Sequence, residues 1–316
     1  MSKVVLIAGR ASSYLATEIA GILGPKKADL INVDILTFSD KEFVPQITQS
    51  IRGKNVFIIQ STFEPVDNLI EAIFLGDAAM RGSAKSITFV NPYYGFGRQE
   101  RKDKPRVPIS AKVVAGMIEH EGHFNRVITM DLHADQIEGY FDIPVDNIYA
   151  SAIFIPYIKS LNLPNLLIAS PDTGGSKRAN KYANWLDCEM VLCYKNREIA
   201  NQVKTMTLIG DVRGKDVVLV DDIFDTGNTL IKASNLMIDN GARSVRGVIT
   251  HPVMSGLSYE EIENSKFTEV VVCNTIPLQK GRPCSKIKVL TTANLFADVI
   301  WRISTNQSLS CLFLKK

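Results

Sequence analysis

VVLVDDIFDTGNTL, residues 217–230, is the stretch on which the fold class turns. Val217–Val220 form a continuous aliphatic run with no polar alternation, which marks a strand buried on both faces. The run meets Asp221 and Asp222, then a turn containing Asp225, Thr226, Gly227, Asn228 and Thr229, and a helical period opens near Thr229. Small residues at a helix start let backbone N–H groups and hydroxyls converge on a phosphate, where the helix dipole also favours negative charge. Adjacent aspartates at the end of a buried strand are costly without something to satisfy them. The vicinal hydroxyls of a sugar carrying that phosphate would do so.

The same alternation extends in both directions. KVVLIA, VFIIQS, SITFVN, RVITMD, LLIAS, VRGVITH and EVVVCN are short runs rich in Val and Ile, and the intervening DNLIEAIFLGDAAMRG and NTLIKASNLMIDNGA have helical periodicity. Buried strands alternating with helices predict an α/β chain, with mostly parallel sheets flanked by helices. The pattern also repeats. IRGKNVFII at 51–59 aligns with VRGKDVVLV at 212–220, and each is followed by a polar loop, a helical stretch, RGSAKSITFV or NGARSVRGVI, and a Pro-containing turn. Two copies of one strand–helix–strand unit predict two similar domains, residues 1–150 and 151–316, divided after the turn FDIPVDN.

A chain of 316 residues is long enough for two such domains. Its 36 basic and 33 acidic residues leave a net charge of +3, too nearly balanced to mark a partner in nucleic acid or an anionic membrane. The five cysteines are odd in number and lack CxxC spacing, so reduced thiols are expected rather than a disulfide framework or a zinc site. The apolar run in MSKVVLIAGR is too short for a signal peptide and is broken by Arg10. No run reaches the length of a membrane span. A cytoplasmic protein is the expectation.

Three further segments carry chemistry. In RVITMDLHADQIEGYFDIP, residues 126–144, Asp131 and His133 stand two apart at a strand end, so strand alternation predicts that both project from one face. The carboxylate suits Mg²⁺, whereas the imidazole is an unusual direct magnesium ligand and suits a bound water or a phosphate oxygen. His120, His123 and His251 lack such company and read as structural. In SPDTGGSKRA, residues 170–179, Gly174 and Gly175 permit close backbone approach, and Asp172 suits a metal beside a pyrophosphate. In NPYYGFGRQERKDKPRVP, residues 91–108, Arg98, Arg101, Lys102, Lys104 and Arg106 cluster among Gly95, Gly97 and Pro105. Runs of this kind are usually solvated faces. The glycines and proline favour an ordered loop for polyphosphate or nucleotide, with single-stranded nucleic acid as the competing ligand.

The segment 217–230 resembles the phosphoribosyl-binding loop of the type I phosphoribosyltransferases. Taken with PYYGFGRQERK, MDLHADQI and SPDTGGSKR in this order, and with TFSDKEF at 37–43, PISAKVVAGMIE at 108–119, CYKNREIANQV at 193–203 and CNTIPL at 273–278, the chain resembles the phosphate-activated class of the ribose-phosphate diphosphokinase, or phosphoribosyl pyrophosphate synthetase, family from residue 3 to residue 313. The resemblance implies two phosphoribosyltransferase-like domains, the first with the ATP-binding elements and the second with the ribose 5-phosphate and catalytic loops. It implies transfer of the β,γ-diphosphoryl group of ATP to the 1-hydroxyl of ribose 5-phosphate, giving phosphoribosyl pyrophosphate and AMP for nucleotide biosynthesis.

Residue by residue, the resemblance implies that Lys195 and Arg197 are catalytic. Phe38, Asp40 and Glu42 would meet the adenine from a neighbouring subunit, with Arg98, Gln99, Asp103 and His133 also on ATP. Asp131, His133 and Asp172 would lie at Mg²⁺. Asp221 and Asp222 would meet the ribose hydroxyls, with Asp225, Thr226, Gly227, Asn228 and Thr229 around the 5-phosphate. Ser50, Arg52, Arg106, Ser308 and Ser310 would form a regulatory anion site for inorganic phosphate, in a homo-hexamer built from dimers. Asn228 stands where the family commonly has a smaller residue, and Glu198 makes the catalytic loop less basic than in many relatives. Two rivals stand beside this reading. A phosphoribosyltransferase would explain 217–230 but leave the basic loop and Asp131–His133 without work. A non-catalytic synthetase-associated subunit typically departs around the catalytic loop, whereas Lys195, Arg197, His133 and Asp172 are all present.

Overall fold

A computed structural model describes residues 3–196 and 205–312. In chain order the elements begin with β1 (Val4–Ala8), α1 (Ser13–Leu23), β2 (Ala28–Ile31), β3 (Val33–Thr37), β4 (Phe43–Ile47), β5 (Asn55–Ile59), α2 (Asp67–Arg81), β6 (Ser86–Asn91), α3 (Ser110–Gly116), β7 (Arg126–Met130) and β8 (Val145–Ile148). They continue with α4 (Ser151–Ser160), β9 (Leu166–Ser170), α5 (Ser176–Leu186), β10 (Met190–Asn196), β11 (Thr205–Ile209), β12 (Asp216–Phe224), α6 (Asn228–Asp239), β13 (Ser244–Pro252), α7 (Ser258–Asn264), β14 (Glu269–Cys273), β15 (Ile287–Leu290) and α8 (Ala293–Ser304). No helix among the described residues is long and apolar enough to cross a membrane.

Contacts group the chain into two units. Of the described residues, the first takes in those up to Tyr149, together with Thr275–Pro277 and 292–312; the second takes in Ala150–Asn274 and Leu278–Thr291. The first unit holds a six-stranded sheet in the order β2-β1-β5-β6-β7-β8, parallel throughout. The second holds a seven-stranded sheet in the order β11-β10-β9-β12-β13-β14-β15, in which only β10 and β11 run antiparallel. The run β1-β5-β6-β7-β8 therefore has the same order as β9-β12-β13-β14-β15. Mostly parallel sheets flanked by helices are what the aliphatic runs predict.

The two RGK turns show the duplication at atomic detail. Gly53 and Gly214 each adopt φ +68°, a left-handed conformation that glycine enters without a steric penalty. The N–H of Gly53 donates to Ser83 O and that of Lys54 to Ile51 O, while Lys54 O accepts from Lys85 N. The second copy repeats all three bonds: Gly214 N to Gly241 O, Lys215 N to Val212 O, and Arg243 N to Lys215 O. The turn thus ties the start of the strand to the end of the following helix in both units.

Each sheet is buried by helices with apolar residues three or four apart. In the first unit Leu69, Ala72, Ile73 and Leu75 of α2 join Ile7, Ile58 and Phe89 in one core. In the second, Leu230, Ala233 and Met237 of α6 join Val217, Leu219 and Ile249. Full burial of each large aliphatic side chain contributes about 1.5–3 kcal/mol. A separate two-stranded antiparallel ribbon, β3-β4, lies outside the first unit's main sheet. In open parallel sheets, ligands bind beyond the carboxyl ends of the strands. Those ends are where Asp131, Asp172 and the 225–229 turn stand.

Candidate active site

The second unit presents its acidic pair differently from the sequence expectation. The strand does not stop at Asp221 and Asp222: β12 continues to Phe224, because Asp221 pairs with Ile249, Ile223 with His251 and Phe224 with Pro252 of the longer β13. The two carboxylates consequently sit inside the ladder. Arg178 of α5 faces them, with Nη1 2.8 Å from Asp222 Oδ1 and 3.6 Å from Asp221 Oδ1. Asp222 keeps only 7% of its side chain exposed. Asp221 Oδ1 also accepts the backbone N–H of Asp222 at 3.0 Å. Burial pushes the Asp221 carboxyl well above the ordinary carboxylate range, Asp222 adds to the shift, Arg178 opposes it, and Asp172 raises it further. With Arg178 set against one side, the paired carboxylates offer acceptor oxygens suited to a hydroxyl-rich or cation-bearing ligand.

Beyond the dyad the chain turns into α6. Gly227 is its N-cap at φ +79°, with no side-chain cap, and Ile231 N donates to Gly227 O at 2.9 Å to start the helix. The helix N-terminus is therefore left with free N–H groups in its first turn. The turn is held from beneath, where Phe224 is fully buried against Gly227 and its carbonyl accepts Met254 N at 2.9 Å. Thr226 and Asn228 are exposed, with Asn228 Nδ2 3.4 Å from Thr226 Oγ1. Backbone donors, hydroxyl and amide in one exposed turn form an anion cradle.

The turn after β9 is built around Asp172. Its Oδ1 accepts Gly175 N at 3.1 Å, and its carbonyl accepts the Ser170 hydroxyl at 2.6 Å. A Cβ on Gly175 would stand 2.9 Å from Ser170 Oγ, so glycine is what lets the loop close. Lys195 lies in β10, which pairs with β11, but Arg197 lies outside the described residues.

In the first unit, Asp131 and His133 lie past the end of β7, which stops at Met130. Asp131 adopts φ +41° and is buried, while His133 is exposed. Strand alternation therefore does not govern this pair, because the left-handed residue follows the end of the pleat. Arg98, Gln99 and Asp103 sit in an exposed loop, where Gln99 N donates to Phe96 O at 3.1 Å and Ser110 Oγ donates to Gln99 Oε1. Phe38, 46% exposed, Asp40 and Glu42 form the tip of the β3-β4 ribbon. Ser50 and Arg52 line a cavity of about 520 Å³ with Asp34, Leu36, Gln46 and Gln49, whereas Arg106, Ser308 and Ser310 are exposed and line no part of it.

Known proteins point the same way. Residues 4–122 match the N-terminal domain of ribose phosphate pyrophosphokinase, and residues 193–314 match the phosphoribosyl synthetase-associated domain. The chain is 50% identical over 310 residues to the ribose-phosphate pyrophosphokinase of Wolinella succinogenes, covering 98% of each. With that of Porphyromonas gingivalis it shares 47% over 309 residues, covering 98% of this chain and 97% of the other. The chain belongs to the ribose-phosphate pyrophosphokinase family. Its fold superposes on the crystal structure of phosphoribosylpyrophosphate synthetase from Mycobacterium smegmatis with a TM-score of 0.90 and 33% identity, over 96% of this chain and 100% of that one.

For a pyrophosphokinase-family chain, the donor set suits a hard cation that comes with its substrate. Among the described residues no three His, Cys, Asp or Glu side chains converge closely enough to hold a metal alone. Magnesium usually takes one or two carboxylates and completes its shell with water and substrate phosphates. The Asp221–Asp222 pair and the carboxylate of Asp172 fit that habit. Arg178 is the site residue that sequence reasoning passed over. SKRA reads only as a basic helix start, and its pairing with Asp222 appears once α5 and β12 are brought side by side.

Proposed function

We infer that this pyrophosphokinase moves the β,γ-diphosphoryl group of ATP to the 1-hydroxyl of ribose 5-phosphate. The hydroxyl oxygen bonds to the β-phosphorus, the bond from that phosphorus to the AMP oxygen breaks, and the hydroxyl proton is released. The products are phosphoribosyl pyrophosphate and AMP. The observation that carries this reading is the Asp221–Asp222 pair beside a helix opened by Gly227, a sugar-hydroxyl acceptor next to a phosphate cradle. Residues 1–150 would supply the ATP-binding elements, and 151–316 the ribose 5-phosphate and catalytic loops.

In this reading Asp221 and Asp222 receive the ribose hydroxyls, while Asp225, Thr226, Gly227, Asn228 and Thr229 hold the 5-phosphate. Arg98, Gln99, Asp103 and His133 hold ATP, and Phe38, Asp40 and Glu42 reach the adenine from a neighbouring subunit. Asp131 and Asp172 would hold Mg²⁺, with His133 beside it through water or phosphate. Bound magnesium supplies neutralisation of the phosphate charge that repels an oxygen nucleophile. Lys195 and Arg197 add positive charge where it develops on the transferred group, and the two substrate sites align the attack. Ser50, Arg52, Arg106, Ser308 and Ser310 would bind inorganic phosphate as an activator. The assembly would be a cytoplasmic homo-hexamer built from three dimers.

Purified protein with Mg²⁺, ATP and ribose 5-phosphate should release AMP and form phosphoribosyl pyrophosphate with no nucleobase added. AMP formation that does not depend on ribose 5-phosphate would overturn the assignment. Turnover only of preformed phosphoribosyl pyrophosphate with a base would move the chain to the phosphoribosyltransferases. The full-length likeness to pyrophosphokinases disfavours both that reading and the non-catalytic subunit.

A further inference from the structure

The β3-β4 ribbon is paired to no strand of the main sheet, and two-stranded ribbons are marginal on their own. Its root is fixed by Thr48 N and Oγ1, both donating to Asn32 O, and its middle rung carries the buried Pro45. The tip needs a separate anchor. Phe43 pairs with Thr37 at the tip end of the ladder and directly follows Glu42. Its ring lies 5.7 Å from that of Phe74 on α2, tilted by 53°. The Arg10 guanidinium stands 5.0 Å from the Phe43 ring centroid.

Arg10 is itself held at two points by one carboxylate. Glu71 of α2 accepts Arg10 Nε at 2.6 Å through Oε2 and the Arg10 backbone N–H at 2.7 Å through Oε1. The Glu71 side chain is 1% exposed, so its charge is matched here. A planar guanidinium clamped at one edge keeps its face free to cover an aromatic ring. The clamp therefore runs from the main body through Arg10 to Phe43, and from Phe43 along the backbone to the tip.

We propose that Arg10 is a positioning residue for nucleotide binding: clamped by Glu71 and set over Phe43, it holds the ribbon tip in the geometry in which Phe38, Asp40 and Glu42 meet the adenine. This rests on the reading of the tip given above. Arg10 touches no reacting atom. Its contribution is to keep the turn closed by Phe38 N to Glu42 O at 2.8 Å and Lys41 N to Phe38 O at 3.1 Å in one place before nucleotide arrives.

The test is a kinetic split combined with hydrogen exchange on the full-length protein. Phe43→Leu leaves the Arg10–Glu71 pair intact, so it separates the clamp from any loss of the buried carboxylate's partner. It should raise KM for ATP about two- to fivefold, the equivalent of losing one cation–π contact, with KM for ribose 5-phosphate unchanged and faster exchange of the Phe38 and Lys41 amides. Arg10→Gln should do the same, and Arg10→Lys should restore part of the ATP affinity. Phe38→Ala is the control. If Phe38→Ala raises KM for ATP but Phe43→Leu changes neither it nor the exchange, the positioning role of Arg10 is wrong while the tip assignment stands. If Phe38→Ala also leaves KM for ATP unmoved, the tip assignment has failed and takes this inference with it. Equal rises in both KM values in Phe43→Leu would mean a general structural effect and would overturn the proposal.

Discussion

The hydrogen of Gly227 that a methyl would replace points at the ring of Phe224: a Cβ there would stand 2.5 Å from Phe224 Cζ, on a residue already at φ +79°. Gly227→Ala therefore meets both a left-handed backbone and a buried ring. A loss of about 2–4 kcal/mol in unfolding free energy is expected, together with a raised KM for ribose 5-phosphate. Chemical denaturation and substrate titration read the two effects. A variant with wild-type stability and affinity would show that the turn relaxes away from Phe224.

Asp221 gives a pH dependence with a definite sign. Its folded-state carboxyl is raised well above the ordinary range, first by burial and then by Asp222. The native chain therefore holds a proton that the unfolded chain has released. That contribution is fully present below the unfolded carboxylate value of about 3.9, and it is lost as pH rises through the raised folded value. Asp221→Asn removes the titration. Without substrate or Mg²⁺, the melting temperature of the variant should exceed that of the wild type by a margin that opens above about pH 4 and closes below it. A margin constant with pH would contradict the shift.

Asp172→Asn separates shape from charge. The amide oxygen can still accept Gly175 N, so the loop after β9 should keep its form. The carboxylate charge is gone. Magnesium titration should show a higher requirement for half-maximal activity, at an unchanged melting temperature. A wild-type magnesium curve would remove Asp172 from the metal's neighbourhood.

Lys195→Ala should cut turnover by about a hundred- to a thousandfold, as expected when a donor that stabilises developing charge is lost. Substrate affinities should move little. Near-normal turnover would refute its role.

Much of the architecture is legible in the sequence because parallel strands buried on both faces are written as unbroken apolar runs, as at Val217–Val220 and Val56–Ile59. The RGK turns are legible for a different reason. A left-handed position tied by the same three backbone bonds asks for glycine at the same place in both copies. Local pattern fails where tertiary pairing decides. β12 outruns its apolar stretch because β13 supplies partners as far as Pro252. Asp131 and His133 leave the strand phase because Asp131 turns left-handed. The Arg178–Asp222 and Arg10–Glu71 pairs join residues 44 and 61 positions apart, which no local window registers. The residues proposed around ATP come from the resemblance to the family, because exposed loops such as 98–103 carry no periodicity to read.

One consequence of the topology concerns synthesis. Helix α8, near the carboxyl end of the chain, packs on α1 and belongs to the first unit, and Trp301 lies 4.7 Å from the ammonium of Lys27. A nascent polypeptide emerging from the ribosome can form the β1–β8 sheet early, but the side of its first helix that α8 covers stays bare until residues 293–304 have been made. Premature termination anywhere before residue 293 would thus impair the earlier-made unit, although its own sheet had been complete long before.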